Sequence, residues 1–157
     1  MIIEPLSRLA FKPFGDVIEM DGAELININQ NFAQRFNNLA SVDVSTDGGA
    51  VNISLAAAVP RPHPIAITMM ERHPLGSQIF YPLDDGHWLV LVCANPGDLS
   101  SFRCFEATGQ QGINYSRGIW HHPLLVLKAQ RFFVVDRQGL GNNLEEFSLP
   151  ETFNLIP

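Results

Sequence analysis

The sequence predicts a mainly β fold: a sandwich, a jelly roll or a closed barrel. Its apolar segments are short, rich in Val, Ile, Leu and Phe, and bounded by Gly, Pro, Asn or Asp, which is how strands separated by turns read. About ten such segments occur, and one open sheet built from them would leave exposed edges. Only one stretch carries a convincing helical signature.

In chain order the expected strands are 17–19, 24–28, 42–44, 51–57, 65–71, 78–81, 87–93, 101–106, 124–128 and 132–136. The helix is expected over 32–39, where Asn31 can cap the first turn, Gln34 completes a capping box, and Phe32, Phe36 and Leu39 share one face. A stripe of that spacing packs against a sheet. Pro74 ends the strand 65–71, and Asp84 and Asp85 fit a hairpin turn. The run Pro60-Arg61-Pro62-His63-Pro64 is stiff but too short to separate two folding units, so residues 1–157 are expected to form a single domain.

At 157 residues the chain should bury about 68–70% of its unfolded surface, enough for a real core. Hydrophobic content of 46% with 17% charged residues excludes a disordered protein. The net charge of −6 and the lack of a basic run argue against nucleic acid as a partner, while leaving room for a small anion held by local arginines. No segment approaches the roughly 20 apolar residues of a membrane span, and residues 1–14 lack a leader pattern. Cys93 and Cys104 show neither a CxxC spacing nor a disulfide framework, so a cytoplasmic protein with two buried thiols is expected.

Chemistry-bearing residues concentrate in two polar clusters set among the strands. The first is Glu71-Arg72-His73-Pro74-Leu75-Gly76-Ser77-Gln78, the second Gly112-Ile113-Asn114-Tyr115-Ser116-Arg117-Gly118-Ile119-Trp120-His121-His122-Pro123. Strand alternation puts Glu71 and His73 on one face and Arg72 on the other. A carboxylate and an imidazole so placed make either a metal or acid/base pair, or a strand-end ion pair. His121 and His122 are adjacent, so one can face a shared pocket while the other packs or sits at the surface.

Arg72 and Arg117 can each clamp a carboxylate through paired hydrogen bonds, or form surface ion pairs. Tyr115 can donate a proton or stand at a rim. His63, between prolines, and His87, beside Gly86, read as local hydrogen-bonding residues. No Gly-rich phosphate loop, GxSxG, HExxH or CxxC motif occurs, which argues against nucleotide-dependent, serine-hydrolase and structural-zinc chemistry.

Read in order, the two clusters, with Pro5-Leu6 and Phe11, Phe14-Gly15-Asp16-Val17-Ile18, Ile28-Asn29, Arg35-Phe36, Leu39-Ala40, and Phe80 with Pro82, resemble the ureidoglycolate lyase family. That family's clusters read close to ERHPLGSQ and GVNYHRGVWHHPL. Ser116 replaces a frequent histidine, Asn31 a usual glycine, and Asn37-Asn38 a His-Asp pair. The resemblance implies a cupin-like β-barrel, a double-stranded β-helix, with one or two short helices.

It also implies cleavage of the carbinolamide ureidoglycolate to glyoxylate and urea by general acid/base elimination, in allantoin degradation and nitrogen utilisation. A homodimer acting on an anionic ureido acid is implied as well. A divalent metal, Ni2+ in this family, would be held by Glu71, His73, Gln78 and His121, more weakly than in a typical cupin because Gln is a poor ligand.

The expected catalytic residues are Glu71, His73, Tyr115, His121 and His122, and Arg72, Arg117 and Gln78 are expected to bind substrate. His73 or Glu71 is the first candidate for the base, His121 the next, and Tyr115 or a second histidine the acid. Two alternatives stay open: an amidohydrolase that releases ammonia, and a small-ligand-binding cupin without turnover.

Overall fold

Two β-sheets lie face to face around an apolar cluster, with a second cluster on the far face of the first sheet, in the computed structural model, which describes all residues 1–157. The strands are β1 (Ile3–Pro5), β2 (Gly15–Ile18), β3 (Glu24–Ile28), β4 (Ala33–Asn37), β5 (Ala50–Ala58), β6 (Ile65–Arg72) and β7 (Gln78–Pro82). They continue as β8 (Trp88–Cys93), β9 (Phe102–Ala107), β10 (Gly112–Tyr115), β11 (Trp120–His121), β12 (Leu125–Val126), β13 (Gln130–Gln138) and β14 (Glu145–Leu155), with a one-turn helix α1 (Arg8–Phe11) after β1. The first sheet runs β1-β9-β8-β11-β6-β14, with β12 also paired to β8, and the second runs β2-β10-β7-β13-β5. All pairings are antiparallel except β1 with β9. The fold is mainly β, as the sequence predicts, but the sheets do not close: β14 and β5 remain edges.

Alternation along β8 explains its unbroken apolar run. Trp88, Val90 and Val92 face the other sheet and meet Phe105, Ile113, Phe132 and Val134, with Phe11 and Phe14 from around α1 filling one end. Leu89, Leu91 and Cys93 face the opposite way into a second cluster with Ile65, Ile67, Cys104 and Leu155. A strand buried on both faces needs apolar residues at every position, and each such side chain contributes about 1.5–3 kcal/mol by leaving water. Helix α1 is fixed at its start by Ser7, whose Oγ accepts from Ala10 N at 3.3 Å. Gly15 lets β2 lie against β10: its φ is +148°, and a Cβ there would stand 1.9 Å from the carbonyl oxygen of Asn114.

The expected helix over 32–39 is replaced by strand β4, which pairs with β3 from Ile28↔Ala33 to Glu24↔Asn37. An isolated helix of that length is marginal. A strand partner lies immediately upstream, and Asn29, Gln30 and Asn31 make the reversal with φ of 53°, 58° and 73°. Asn tolerates that region well, so the residue expected to cap a helix closes a hairpin. Phe32 is 90% exposed while Phe36 and Leu39 are half-buried, so the predicted stripe forms no single packed face.

Residues 42–44 form no strand. Asp43 instead joins the 75–77 turn, its N–H donating to Ser77 Oγ at 2.9 Å and its carbonyl accepting from Ser77 N at 2.7 Å. The pattern missed β1, β10, β11 and β14. Strands of two to four residues carry too little alternation to show, and β14 contains Pro150 at an irregularity between Ser148 and Phe153.

Candidate functional site

The two polar clusters meet at one end of the space between the sheets. His121 on β11 pairs directly with Glu71 on β6, and Gly118 N donates to His73 O at 2.9 Å, tying the loop before β11 to the end of β6. In the other sheet Tyr115 on β10 is the register partner of Gln78 on β7, so both project to one face. The Tyr115 ring stacks on the His121 ring with centroids 4.1 Å apart and planes 15° off parallel, and His73 packs against His121 at 5.3 Å.

Glu71, His73 and His121 bring one ligand atom each to within 4.8 Å of one another. His73 Nδ1 lies 2.7 Å from Asn143 O, and His121 Nδ1 lies 2.9 Å from Ile119 O. A carbonyl only accepts, so in both rings Nδ1 carries the proton and Nε2 presents its lone pair. Both Nε2 atoms are buried without a hydrogen-bond partner, and so is Gln78 Oε1.

Buried polar atoms left unpaired are costly and rare in native proteins. Two imidazole lone pairs converging beside a carboxylate, each ring oriented from behind by a backbone carbonyl, form a donor set suited to a divalent cation. The side chains present therefore fit a metal.

Electrostatics point the same way. Burial pushes the Glu71 carboxyl up, while a proton on the His121 nitrogen 3.5 Å away, with His73 and His122 nearby, would pull it down by more; with both Nε2 atoms bare, a cation between the groups supplies that positive charge instead. Glu71 is thus a carboxylate ready to ligate. Burial, with the Glu71 charge adding, raises the Tyr115 hydroxyl far above the usual phenol value, so it stays protonated.

The remaining expected residues fall elsewhere. His122 is buried with Nδ1 2.8 Å from Pro123 O, and burial lowers it to about 4, so it packs as a neutral ring outside the triad. Arg72 points away from Glu71 and His73: its Nε donates to Glu145 Oε2 at 2.6 Å and its guanidinium lies 4.6 Å over the Trp120 ring. Arg117, half exposed, donates from Nη1 to Thr46 Oγ1 at 2.5 Å, with Nε 3.5 Å from Asp43 Oδ2.

His87 pairs with Glu106 at 2.7 Å. Asn143 was missed. It orients His73 through its carbonyl and holds Leu75 N through Oδ1 at 2.8 Å, but in sequence it reads as part of an ordinary loop.

The sequence profile of the ureidoglycolate lyase family matches residues 1–156. Ureidoglycolate lyase 1 of Rhizobium meliloti (strain 1021) is 52% identical over 157 residues, 99% of this chain and 92% of its own. The ureidoglycolate lyase of Burkholderia mallei (strain NCTC 10229) is 52% identical over 153 residues, 96% of this chain and 89% of its own. That of Stutzerimonas stutzeri (strain A1501) is 44% identical over 160 residues, 99% and 94% of the two chains. Among solved structures, Bacillus subtilis oxalate decarboxylase aligns with 69% of this chain and 27% of its own at 15% identity and a TM-score of 0.42. With the profile spanning nearly every residue and relatives at half identity covering both chains almost end to end, the chain belongs to the ureidoglycolate lyase family.

Proposed function

We propose that this chain is a ureidoglycolate lyase of allantoin degradation, splitting the substrate into glyoxylate and urea at the Glu71–His73–His121 centre. One observation carries the assignment to this centre: both imidazole Nε2 atoms are buried and unpaired, in a group whose ligand atoms, with that of Glu71, lie within 4.8 Å of one another. Glu71, His73 and His121 would hold a divalent ion, Ni2+ by family resemblance, and Gln78 Oε1 would add a fourth, weaker donor. A bound cation would acidify the substrate hydroxyl and stabilise the alkoxide.

The chain's own groups move the protons. Glu71 takes the hydroxyl proton, the C–O bond becomes the aldehyde carbonyl as the C–N bond breaks, and Tyr115 O–H gives its proton to the departing urea nitrogen. Passing the proton from Glu71 back to Tyr115 restores both residues, and no water is consumed. Arg117, on the loop between Tyr115 and His121, would give up its contacts with Thr46 and Asp43 to anchor the substrate carboxylate. Arg72, committed to Glu145 and Trp120, is not needed there.

Residues 1–157 act as one domain, and two copies form a dimer. Supporting the dimer, the β3–β4 hairpin exposes Leu25, Ile26, Ile28 and Phe32, and the edge strand β5 exposes Val51, Ile53 and Leu55. A two-stranded hairpin standing alone is marginal in water, and a bare apolar edge invites pairing. The protein works in the cytoplasm, where its two free thiols, pushed up to about 12 by burial, stay reduced. No helix is long and apolar enough to cross a membrane.

The test is to incubate the protein with ureidoglycolate, with chelator or with added nickel, and to quantify glyoxylate, urea and ammonia against spontaneous decay. Protein-dependent urea supports the lyase. Ammonia in its place would make the chain an amidohydrolase, and no rate above background under any metal condition would leave a binding protein.

A further inference from the structure

The ladder between β6 and β14 places a second carboxylate on the face of the metal centre. Glu146 is the direct register partner of Glu71, and Glu145 is that of Arg72. Directly paired residues of an antiparallel ladder project to one face with Cβ atoms about 4.5–5.5 Å apart. The Arg72–Glu145 contact settles which face is which. Arg72 Nε binds Glu145 Oε2 at 2.6 Å on the side where Trp120 packs against Phe147, away from His73 and His121. Glu146 therefore rises on the side of Glu71.

Its surroundings give it no structural task. β14 is the outermost strand of its sheet and Glu146 is exposed, so its carboxylate stands at the open rim beside the centre. It belongs to no ion pair, and a like charge directly opposite costs stability. Its carboxylate is therefore free to take a ligand.

We propose that Glu146 is a substrate-binding residue, whose carboxylate accepts two N–H groups from the ureido end of the substrate. The inference rests on the reading of Glu71, His73 and His121 as the place where the hydroxy-acid end sits. Beyond its single carbonyl, the ureido end offers only N–H donors, and the lone pairs of the triad are committed to a cation. The two oxygens of a carboxylate match a pair of N–H groups on one side of a urea, a bidentate contact that fixes orientation as well as position. Arg72 then acts as a positioning residue: its contacts with Glu145 and Trp120 pin the register that turns Glu146 toward the centre.

The experiment uses the full chain loaded with nickel and compares wild type with Glu146→Ala and Glu146→Gln. Both variants are expected to fold with thermal midpoints at or slightly above wild type, because the side chain is exposed and its charge opposes that of Glu71. In Glu146→Ala, KM should rise about tenfold or more, the scale of losing hydrogen bonds to a charged group.

Product and analogue inhibition supply the readout that a structural role would not move. Inhibition by urea should weaken about tenfold, while inhibition by glycolate, which carries only the hydroxy-acid end, stays as in wild type. If KM and urea inhibition are unchanged, or if urea and glycolate inhibition weaken together, the assignment of Glu146 is overturned. If wild type itself produces no urea, the underlying reading fails first and takes this one with it.

Discussion

His121 Nε2 stops 3.5 Å from Glu71 Oε1, across a strand pairing that sets the two residues directly opposite each other. That separation is long for a hydrogen bond. It leaves a lone pair and a carboxylate oxygen facing one another in a buried place, where a cation completes both.

Metal binding should therefore stabilise the fold. A divalent ion at about a hundred times its Kd adds about 2.7 kcal/mol, which for a chain of this size raises the thermal midpoint by roughly 5–10 °C. His121→Asn should abolish most of that rise while remaining folded. Calorimetry of both proteins with nickel, manganese or chelator checks it, and a wild type indifferent to every divalent ion would rule out the centre.

Tyr115→Phe keeps the ring that stacks on His121 and removes only the hydroxyl. The loss of a proton donor should lower kcat about a hundredfold or more, with metal affinity and thermal midpoint near wild type. A rate within severalfold of wild type would reduce Tyr115 to a support for His121.

The apolar edge of β5 and the β3–β4 hairpin should lie in a subunit contact. Sedimentation is expected to give a dimer, and Leu55→Glu, which places a charge at a position 70% exposed in the single chain, should shift it toward monomer. A monomeric wild type at micromolar concentration would overturn this, as would a Leu55→Glu variant as dimeric as wild type.

Asp84 gives the acid limb of stability a defined contributor. Hydrogen bonds from the Arg131 side chain and backbone hold its carboxyl down at about 2. Because the folded value is lowered, the interaction is fully present above the unfolded value of about 3.9 and is lost as pH falls from there through about 2. Asp84→Asn should be less stable than wild type at neutral pH, and the difference should shrink to nothing as pH falls through that window. Denaturation midpoints measured from pH 2 to 6 for both proteins decide it, and parallel curves would exclude the contribution.

Local pattern was enough to read most of the strands that build the sheets. β3 spans 24–28 as expected, and β6, β7 and β8 fall within a residue or so of their predicted bounds, because alternation or an unbroken apolar run is a property of the strand itself. Alternation also separates Glu71 and His73 from Arg72, and in the fold Arg72 turns to Glu145 on the far side. The hairpin tip at Asn29-Gln30-Asn31 misled the same kind of reasoning. Its polar residues fit a helix cap and a left-handed reversal equally well, and pairing with β3 decided between them.

By itself, then, the sequence determined the β class, the two clusters that carry the chemistry, and the family resemblance written in them. Strand alternation left open which of two adjacent histidines joins Glu71 and His73; the resemblance implied His121, and the tertiary structure brings that one to them. It also decided that Tyr115 is a buried ring stacked on the chosen one, and that Glu146, more than seventy residues from Glu71, shares its face. The physical reason is the range of the interactions. Side-chain alternation is fixed by bonds between neighbours, whereas the register of β6 with β11 and β14 is set by packing and pairing between segments far apart in the chain.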